Sequence, residues 1–213
     1  MDKEEKDKLL NLLYGLKLYG YKYIKPIDFN KLQNNIALPD NYTQLEDMIN
    51  NCNLCRLSNQ AKDKIVSNGD ISSKIIFISV YDFRYNSALN KLFNDMLVNV
   101  LEISPDDILH LDIVKCNISD NIKIEDDDIS NCKQYIIKQL DILQPRLIIT
   151  LGDSYRYLLN DDTKLNLLHG TIHKYKNIDL VPIYDIDTLY RNPSLKKETM
   201  EDLLKIKYMM GEI

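Results

Sequence analysis

The four cysteines of the chain are arranged in a pattern that suits one metal centre. Cys52 and Cys55 form a Cys-x2-Cys pair, and Cys116 and Cys132 follow far downstream with fifteen residues between them. Two thiolates separated by two residues can bind the same metal, whereas the second pair must be brought to it by the fold. The spacing therefore predicts that the chain closes a long loop around a centre with sulfur ligands.

Free thiols, disulfides and structural zinc are the alternatives to an iron–sulfur cluster. Free cysteines are often buried as small apolar side chains, so four unrelated thiols could share this pattern. The first residues, MDKEEKDKLL, contain no apolar segment or cleavage site, which disfavours secretion to a compartment where disulfides form. Four thiolates suit tetrahedral Zn2+, but zinc sites usually use two short Cys pairs. The spacing of Cys116 and Cys132 therefore favours a [4Fe-4S] cluster, with Zn2+ as the alternative.

Length and charge narrow the class of protein. With 213 residues, of which 45% are hydrophobic, the chain is long enough for a full domain, and no segment approaches the roughly 20 apolar residues that span a bilayer. The formal net charge of −5 argues against coating nucleic acid by charge alone, although a local basic patch remains compatible with it. We expect a cytoplasmic monomer, with an N-terminal helix and connecting segment in residues 1–42 and the main domain in residues 43–213.

Alternating helices and strands predict a parallel sheet covered by helices on both faces. Apolar residues at helical spacing indicate the helices, and short β-branched runs indicate the strands. The predicted helices cover 3–19, 43 to just before Cys52, 87–101, about 128–143, 154–159 and 197–210, and the strands cover 74–80, 108–114, 146–151 and 180–184. Thr43 to Glu46 match a capping box for the second helix. Ligand sites in such sheets lie beyond the carboxyl ends of the strands, so we expect the chemistry there.

A series of motifs at these strand ends carries a family resemblance. In chain order they are Cys52–Cys55, Asp112–Cys116, Cys132, Gln144–Gly152, Leu168–Gly170 and Tyr184–Pro193. From Cys52 to about Met209 the chain resembles the iron–sulfur (family 4) uracil-DNA glycosylases. The cysteine spacing, the Leu-Gly strand end and the Arg-Asn-Pro tripeptide are its most specific features.

The resemblance implies a fold, a cofactor and a partner. The fold is a three-layer α/β/α sandwich with a central, mainly parallel sheet. The cofactor is a structural [4Fe-4S] cluster held by Cys52, Cys55, Cys116 and Cys132. The partner is DNA, and the activity is base excision by hydrolysis of an N-glycosidic bond, which requires an extruded base.

At three positions that correspond to the family's site, this chain has different residues. Ser79 to Phe83 replace a Gly-Glu-Ala-Pro-Gly strand end, which leaves Asp82 as a candidate for orienting water or as a simple turn residue. Asp112 replaces a base-reading Asn, and because a carboxylate only accepts hydrogen bonds, it suits an exocyclic amine better than a carbonyl. Asp185 replaces a His that would stabilise charge on the departing base, and is the second candidate for positioning water. His110, in mid-strand, is expected to be structural.

Other positions keep the family's character. Tyr85 corresponds to the aromatic that stacks on the base. Arg191 and Asn192, followed by Lys196, form a candidate phosphate-binding loop. The sequence therefore predicts a uracil-DNA glycosylase-like protein, either an N-glycosylase of undetermined base specificity or a catalytically inactive member that binds DNA or a protein partner.

Overall fold

The computed structural model of the protein describes residues 3–22, 38–118 and 122–211. The chain divides into two compact units, each built from two segments. The first unit comprises Met1–Val66 and Lys115–Ile142, and the second comprises Ser67–Val114 and Leu143–Ile213. The boundary expected at residue 42 stays a prediction. None of the helices in the described residues is long and apolar enough to cross a membrane.

A six-stranded sheet is the centre of the second unit. The strands of the described residues are β1 (Asp63–Lys64), β2 (Asn68–Gly69), β3 (Ile75–Ser79), β4 (Leu109–Asp112), β5 (Cys116–Asn117), β6 (Leu147–Leu151), β7 (His173–Tyr175) and β8 (Ile178–Ile183). The order in the sheet is β2-β4-β3-β6-β8-β7. The four inner strands are parallel, and the two edge strands are antiparallel. All residues of β4 and β6 are buried, as expected for strands covered on both faces.

Helices alternate with these strands. They are α1 (Lys3–Leu18), α2 (Tyr42–Asn50), α3 (Ser87–Met96), α4 (Asp126–Leu143), α5 (Ser154–Leu159), α6 (Leu165–Leu168), α7 (Ile186–Arg191) and α8 (Lys196–Gly211). The core of the second unit contains Phe77 on β3 and Phe93 on α3, whose rings meet edge to face with centroids 5.3 Å apart. The predicted mixed α/β class, a mainly parallel sheet flanked by helices, is confirmed.

The start of α2 differs from the sequence prediction. The capping box expected at Thr43 is wrong, because the helix begins one residue earlier, at Tyr42. Asn41 is the N-cap, and its Oδ1 accepts a hydrogen bond from the backbone N–H of Gln44 at 3.1 Å. Asparagine caps a helix at least as well as threonine, so the preceding residue takes this role.

The first unit holds a small two-stranded sheet that the sequence did not reveal. In it, β1 pairs antiparallel with β5, and Lys64 lies directly opposite Cys116. Its apolar cluster joins Leu18 of α1, Leu45 and Ile49 of α2, and Tyr135 of α4. Both cysteine pairs therefore belong to the elements of one compact unit.

Candidate functional site

The four cysteines come from three parts of the first unit: the connection after α2, the strand β5 and the helix α4. Cys52 lies just after α2, and Cys55 precedes a short 3-10 turn at Arg56–Asn59. Cys116 begins β5, and Cys132 lies in the second turn of α4. All four are free of disulfides, and all but the half-exposed Cys55 are buried. The structure thus places every predicted ligand in the same unit.

Thiol contacts join three of these cysteines. The Cys55 thiol makes hydrogen bonds with Cys116 and Cys132, and these bonds hold the pKa of Cys55 far below its ordinary value. The same contact with Cys55, followed by burial, raises the pKa of Cys116 and of Cys132. The protonation of these three thiols is therefore interdependent, as expected where several titratable groups share a confined space.

Polar side chains surround this cysteine group. Lys64 donates a hydrogen bond from Nζ to Sγ of Cys116 at 3.2 Å, which follows from their opposite positions on β1 and β5. The Tyr135 hydroxyl is buried beside Cys52, and burial is the main cause that raises its pKa. A cation and a phenol are both suited to stabilising thiolate charge.

An ion pair connects the turn after Cys55 to the helix that carries Cys132. Arg56 donates from Nη2 to the buried carboxylate of Asp128 at 2.6 Å and to the backbone oxygen of Lys123 at 2.7 Å. Asp128 Oδ2 also accepts from the backbone N–H of Glu125 at 3.0 Å, at the first turn of α4. Because one carboxylate serves both segments, the positions of Cys55 and Cys132 are coupled.

The donor set fits an iron–sulfur cluster chemically. Four cysteines free of disulfides in one unit, two of them in contact with Cys55, supply the ligands that such clusters use. Across residues 3–22, 38–118 and 122–211, no group of three or more histidine, cysteine or acidic side chains is spaced to hold a metal ion. The cluster itself is therefore a proposal.

A second site lies at the carboxyl ends of β3 and β4. Ser79 and Asp112, the last residues of these strands, are register partners. Ser79 donates a hydrogen bond from Oγ to Oδ1 of Asp112 at 2.5 Å and lies 2.8 Å from Nε2 of His110. The Asp112 side chain is 0% exposed, and the His110 ring packs against Phe83. Asp112 therefore belongs to a buried polar chain within the sheet.

Arg84, which the sequence analysis did not single out, joins the two acidic candidates. Its Nε donates to Oδ1 of Asp82 at 2.6 Å, and its Nη2 donates to Oδ2 of Asp112 at 3.3 Å. The backbone N–H of Arg84 also donates to Oδ1 of Asp82, at 2.9 Å. Only 11% of the Arg84 side chain and 7% of the Asp82 side chain are exposed. The Asp-x-Arg spacing after a buried strand was the available signal for this pair.

The two oxygens of Asp82 differ in their partners. Oδ1 accepts both bonds from Arg84, whereas no described residue bonds to Oδ2. Both oxygens of Asp112, in contrast, accept bonds from Ser79 and Arg84. Of these two carboxylates, Asp82 is the one with an oxygen left for a water molecule.

Asp185 caps a helix at the end of β8. Its Oδ1 accepts from the backbone N–H of Thr188 at 2.8 Å, and its Oδ2 accepts from the Thr188 hydroxyl at 2.7 Å. Gly152, at the end of β6, has φ +61°, and a Cβ there would lie 2.9 Å from Cβ of Asp185. This close approach explains the glycine of the Leu-Gly motif. Asp185 is a satisfied N-cap and does not join Asp82 and Asp112.

Tyr85 and the predicted phosphate-binding residues are exposed, unlike Asp112. Tyr85, immediately after Arg84, is 66% exposed. Arg191 ends α7 with its side chain 77% exposed and its Nε 3.0 Å from the Asp187 carboxylate. Asn192 and Lys196 follow on the surface around the start of α8. The structure thus places Tyr85 beside the Asp82–Arg84 pair, and groups the three phosphate-binding candidates in one connection.

Fold and site together define a class of protein. Mostly parallel α/β sheets bind their ligands beyond the carboxyl ends of the strands, which is where Asp82, Arg84 and Asp112 lie. Residues 66–205 match the family model described as the Uracil DNA glycosylase superfamily. The chain belongs to this superfamily.

Curated relatives give the same assignment. A type-4 uracil-DNA glycosylase of Sulfurisphaera tokodaii is 25% identical over 185 residues, which cover 79% of this chain and 84% of that protein. A type-4 uracil-DNA glycosylase of Saccharolobus solfataricus is 26% identical over 188 residues, which cover 79% of this chain and 86% of that protein. A type-4 uracil-DNA glycosylase of Archaeoglobus fulgidus is 21% identical over 188 residues, which cover 79% of this chain and 94% of that protein. The family resemblance stated from the motifs is confirmed.

Proposed function

We propose that the protein is a DNA N-glycosylase of base-excision repair. The observation that carries this proposal is Oδ2 of Asp82, to which no described residue bonds, at the strand edge where members of an α/β class bind ligands. A carboxylate with one oxygen anchored and one open can orient a water molecule and accept its proton. The names of the curated relatives support the same reaction class.

Each residue then has a defined role in the reaction. The extruded base stacks on Tyr85 while water, oriented by Asp82, attacks the sugar carbon C1′. The C–O bond to water forms, the glycosidic C–N bond breaks with its electrons leaving on the base, and the water proton passes to Asp82. Arg84 fixes the carboxylate of Asp82 through two hydrogen bonds.

The cysteine group is proposed to hold a [4Fe-4S] cluster, with Zn2+ as the alternative. Cys52, Cys55, Cys116 and Cys132 would be its ligands, and the bound cluster would supply a structural cross-link. Lys64, which already donates to Cys116, would stabilise its thiolate. Iron and sulfide analysis of protein purified without oxygen distinguishes a [4Fe-4S] cluster from bound Zn2+.

The DNA backbone is proposed to lie along the connection between α7 and α8. Arg191, Asn192 and Lys196 are exposed there and carry donors for phosphate oxygens. We propose that the protein acts on DNA in the cytoplasm as a monomer. Because the net charge is −5, binding is proposed to depend on local contacts such as these and not on overall charge.

A catalytically inactive member that binds DNA or a protein partner is the second candidate. One observation favours it: Asp112 and Asp185, two of the three replaced positions, have both carboxylate oxygens engaged within the protein. Neither can donate a hydrogen bond to a departing base while ionised.

Glycosylase assays distinguish the two candidates. Purified, iron-loaded protein is incubated with oligonucleotides that carry uracil, hypoxanthine or a mismatch, and abasic sites are cleaved with alkali. Strand cleavage that disappears in Asp82→Asn supports the glycosylase. Uncleaved DNA that is nevertheless retarded in a gel supports the inactive DNA-binding protein, and absence of both at low salt leaves a protein partner.

A further inference from the structure

Arg84 changes the polarity of the strand-end site. From its sequence position, Asp112 would offer acceptor oxygens to a base. In the structure its side chain is 0% exposed, and its oxygens receive hydrogen bonds from Ser79 and Arg84. The guanidinium of Arg84 bridges Asp112 and Asp82. It brings N–H donors to a site where the sequence indicated acceptors.

The hydrogen-bonding capacity of Arg84 is only partly used. A guanidinium has five N–H donors, and the described contacts of this one use Nε and Nη2. Nη1 is shielded from solvent and has no hydrogen-bond partner among the described residues. Buried donors, above all charged ones, are rarely left unpaired in proteins, so this nitrogen points to a missing acceptor.

We propose that Arg84 is a specificity-determining residue that selects bases with an acceptor edge, above all 6-oxopurines such as hypoxanthine. Their O6 and N7 form the pair of adjacent acceptors that an arginine fork binds. Adenine presents an amine in place of O6, and uracil lacks this adjacent pair. Tyr85, the next residue, is 66% exposed and supplies a face for stacking the same base. The inference rests on the proposed function, because it assigns the base read at that site.

Binding of matched oligonucleotides tests this inference without requiring turnover. Fluorescein-labelled single strands differ only at one central base, which is hypoxanthine, adenine, uracil or cytosine on a 2′-fluorinated sugar that resists hydrolysis. The dissociation constant is measured by anisotropy at fixed low salt. We expect hypoxanthine to bind about tenfold more tightly than adenine, because one bidentate arginine contact discriminates by about that factor.

Two variants connect the preference to Arg84. Arg84→Lys keeps a cation between Asp82 and Asp112 but removes the planar fork, so the hypoxanthine preference should fall to within about twofold of adenine. Arg146→Lys is the matched control. Arg146 is exposed and precedes the amino end of β6, whereas Arg84 lies at the carboxyl ends of the parallel strands. Circular dichroism of both variants verifies folding, and Arg84→Gln provides a second, neutral test.

Each outcome decides the proposal. A hypoxanthine preference that Arg84→Lys loses and Arg146→Lys keeps supports it. Equal binding of all four bases, or a preference for adenine or uracil, overturns it but leaves intact the DNA binding that the proposed function requires. If Arg84→Lys loses the same affinity for all four bases, Arg84 contacts a DNA phosphate and not the base, and the proposal is also overturned. Absence of any DNA binding at low salt removes the proposed function and this inference together.

Discussion

At the residue scale, two carboxylates that bind the same arginine differ in their ability to accept a hydrogen bond from water. Asp82 and Asp112 both bind Arg84, yet only Asp82 keeps an oxygen to which no described residue bonds. A water molecule needs such an oxygen as acceptor if it is to be oriented for attack. The difference makes Asp82 the residue whose replacement tests catalysis.

Asp82→Asn should reduce the rate of base release by about 100-fold or more, because a positioned general base typically contributes that much. DNA affinity should change little, since the amide keeps the shape of the side chain and its bond to the Arg84 backbone. Single-turnover kinetics on the preferred substrate measure the rate. Asp95→Asn, on the exposed side of α3, is the control, and equal rates in the two variants would contradict the role of Asp82.

Asp185→Ala should lower the free energy of unfolding by about 1 kcal/mol, because the N-cap of α7 loses both bonds to Thr188. Asp185→Ser restores a capping oxygen and should recover most of that stability. Urea unfolding followed by circular dichroism gives the values. If Asp185→Ser folds normally but loses base release, Asp185 has a catalytic role beyond its cap.

For this site, the sequence predicts where residues lie along the strands better than it predicts their side-chain contacts. The sequence placed Asp112 near the end of a strand predicted over 108–114, whereas in the structure the strand ends at Asp112 itself. Its engagement with Ser79 and Arg84 was not readable, because hydrogen bonds between neighbouring strands depend on register and rotamer. For the same reason, the N-cap role of Asp185 required the observed start of α7.

At the scale of elements, α4 is the element that brings Cys132 to the other cysteines. Its first turn is anchored by Asp128, which binds Arg56 next to Cys55. The sequence predicted this helix within two residues of its observed start, because its apolar positions follow a helical period. It did not predict β1 and β5, since strands of two residues carry no detectable alternation.

Cys132→Ser should remove most of the bound iron and the visible absorbance of the cluster, since one of four thiolate ligands is lost. Hydrogen exchange should then accelerate in α2 and α4, for which the bound cluster is the proposed cross-link. Iron analysis and mass-detected exchange provide both readouts. Ser130→Ala, exposed on the same helix, controls for a general weakening of α4. Full iron content in Cys132→Ser would exclude it as a ligand.

At the scale of the whole molecule, an acidic protein must bind DNA through a small surface. The chain has 27 basic and 32 acidic residues, so long-range attraction to phosphate is weak. Arg191 and Lys196, two of the proposed phosphate contacts, are exposed in one connection. Affinity should therefore depend on few contacts.

Replacing both Arg191 and Lys196 with Gln should reduce the slope of log affinity against log salt by about 2, because each lost phosphate contact contributes roughly 0.9 for duplex DNA. Anisotropy titrations across a range of NaCl concentrations measure the slope. The double variant Lys91→Gln/Lys164→Gln has the same net charge and replaces exposed lysines elsewhere in the second unit. A similar change in both double variants would show that total charge, and not this connection, governs binding.

The division of the chain is the feature that sequence reasoning could least anticipate. The mixed α/β class follows from the order of helices and strands, and it is confirmed. The first unit, however, combines Met1–Val66 with Lys115–Ile142, and no change of composition marks any of the three junctions. Such pairings arise from contacts between distant segments, which local periodicity does not encode.

This discontinuity has a consequence for the protein during its own synthesis. A ribosome that has made Cys55 must add 77 further residues (132 minus 55) before Cys132 exists. At ordinary elongation rates that interval lasts roughly 4 to 15 seconds. The early cysteine pair is thus made well before its last partner, and the proposed cluster could be completed only after Cys132 has been added.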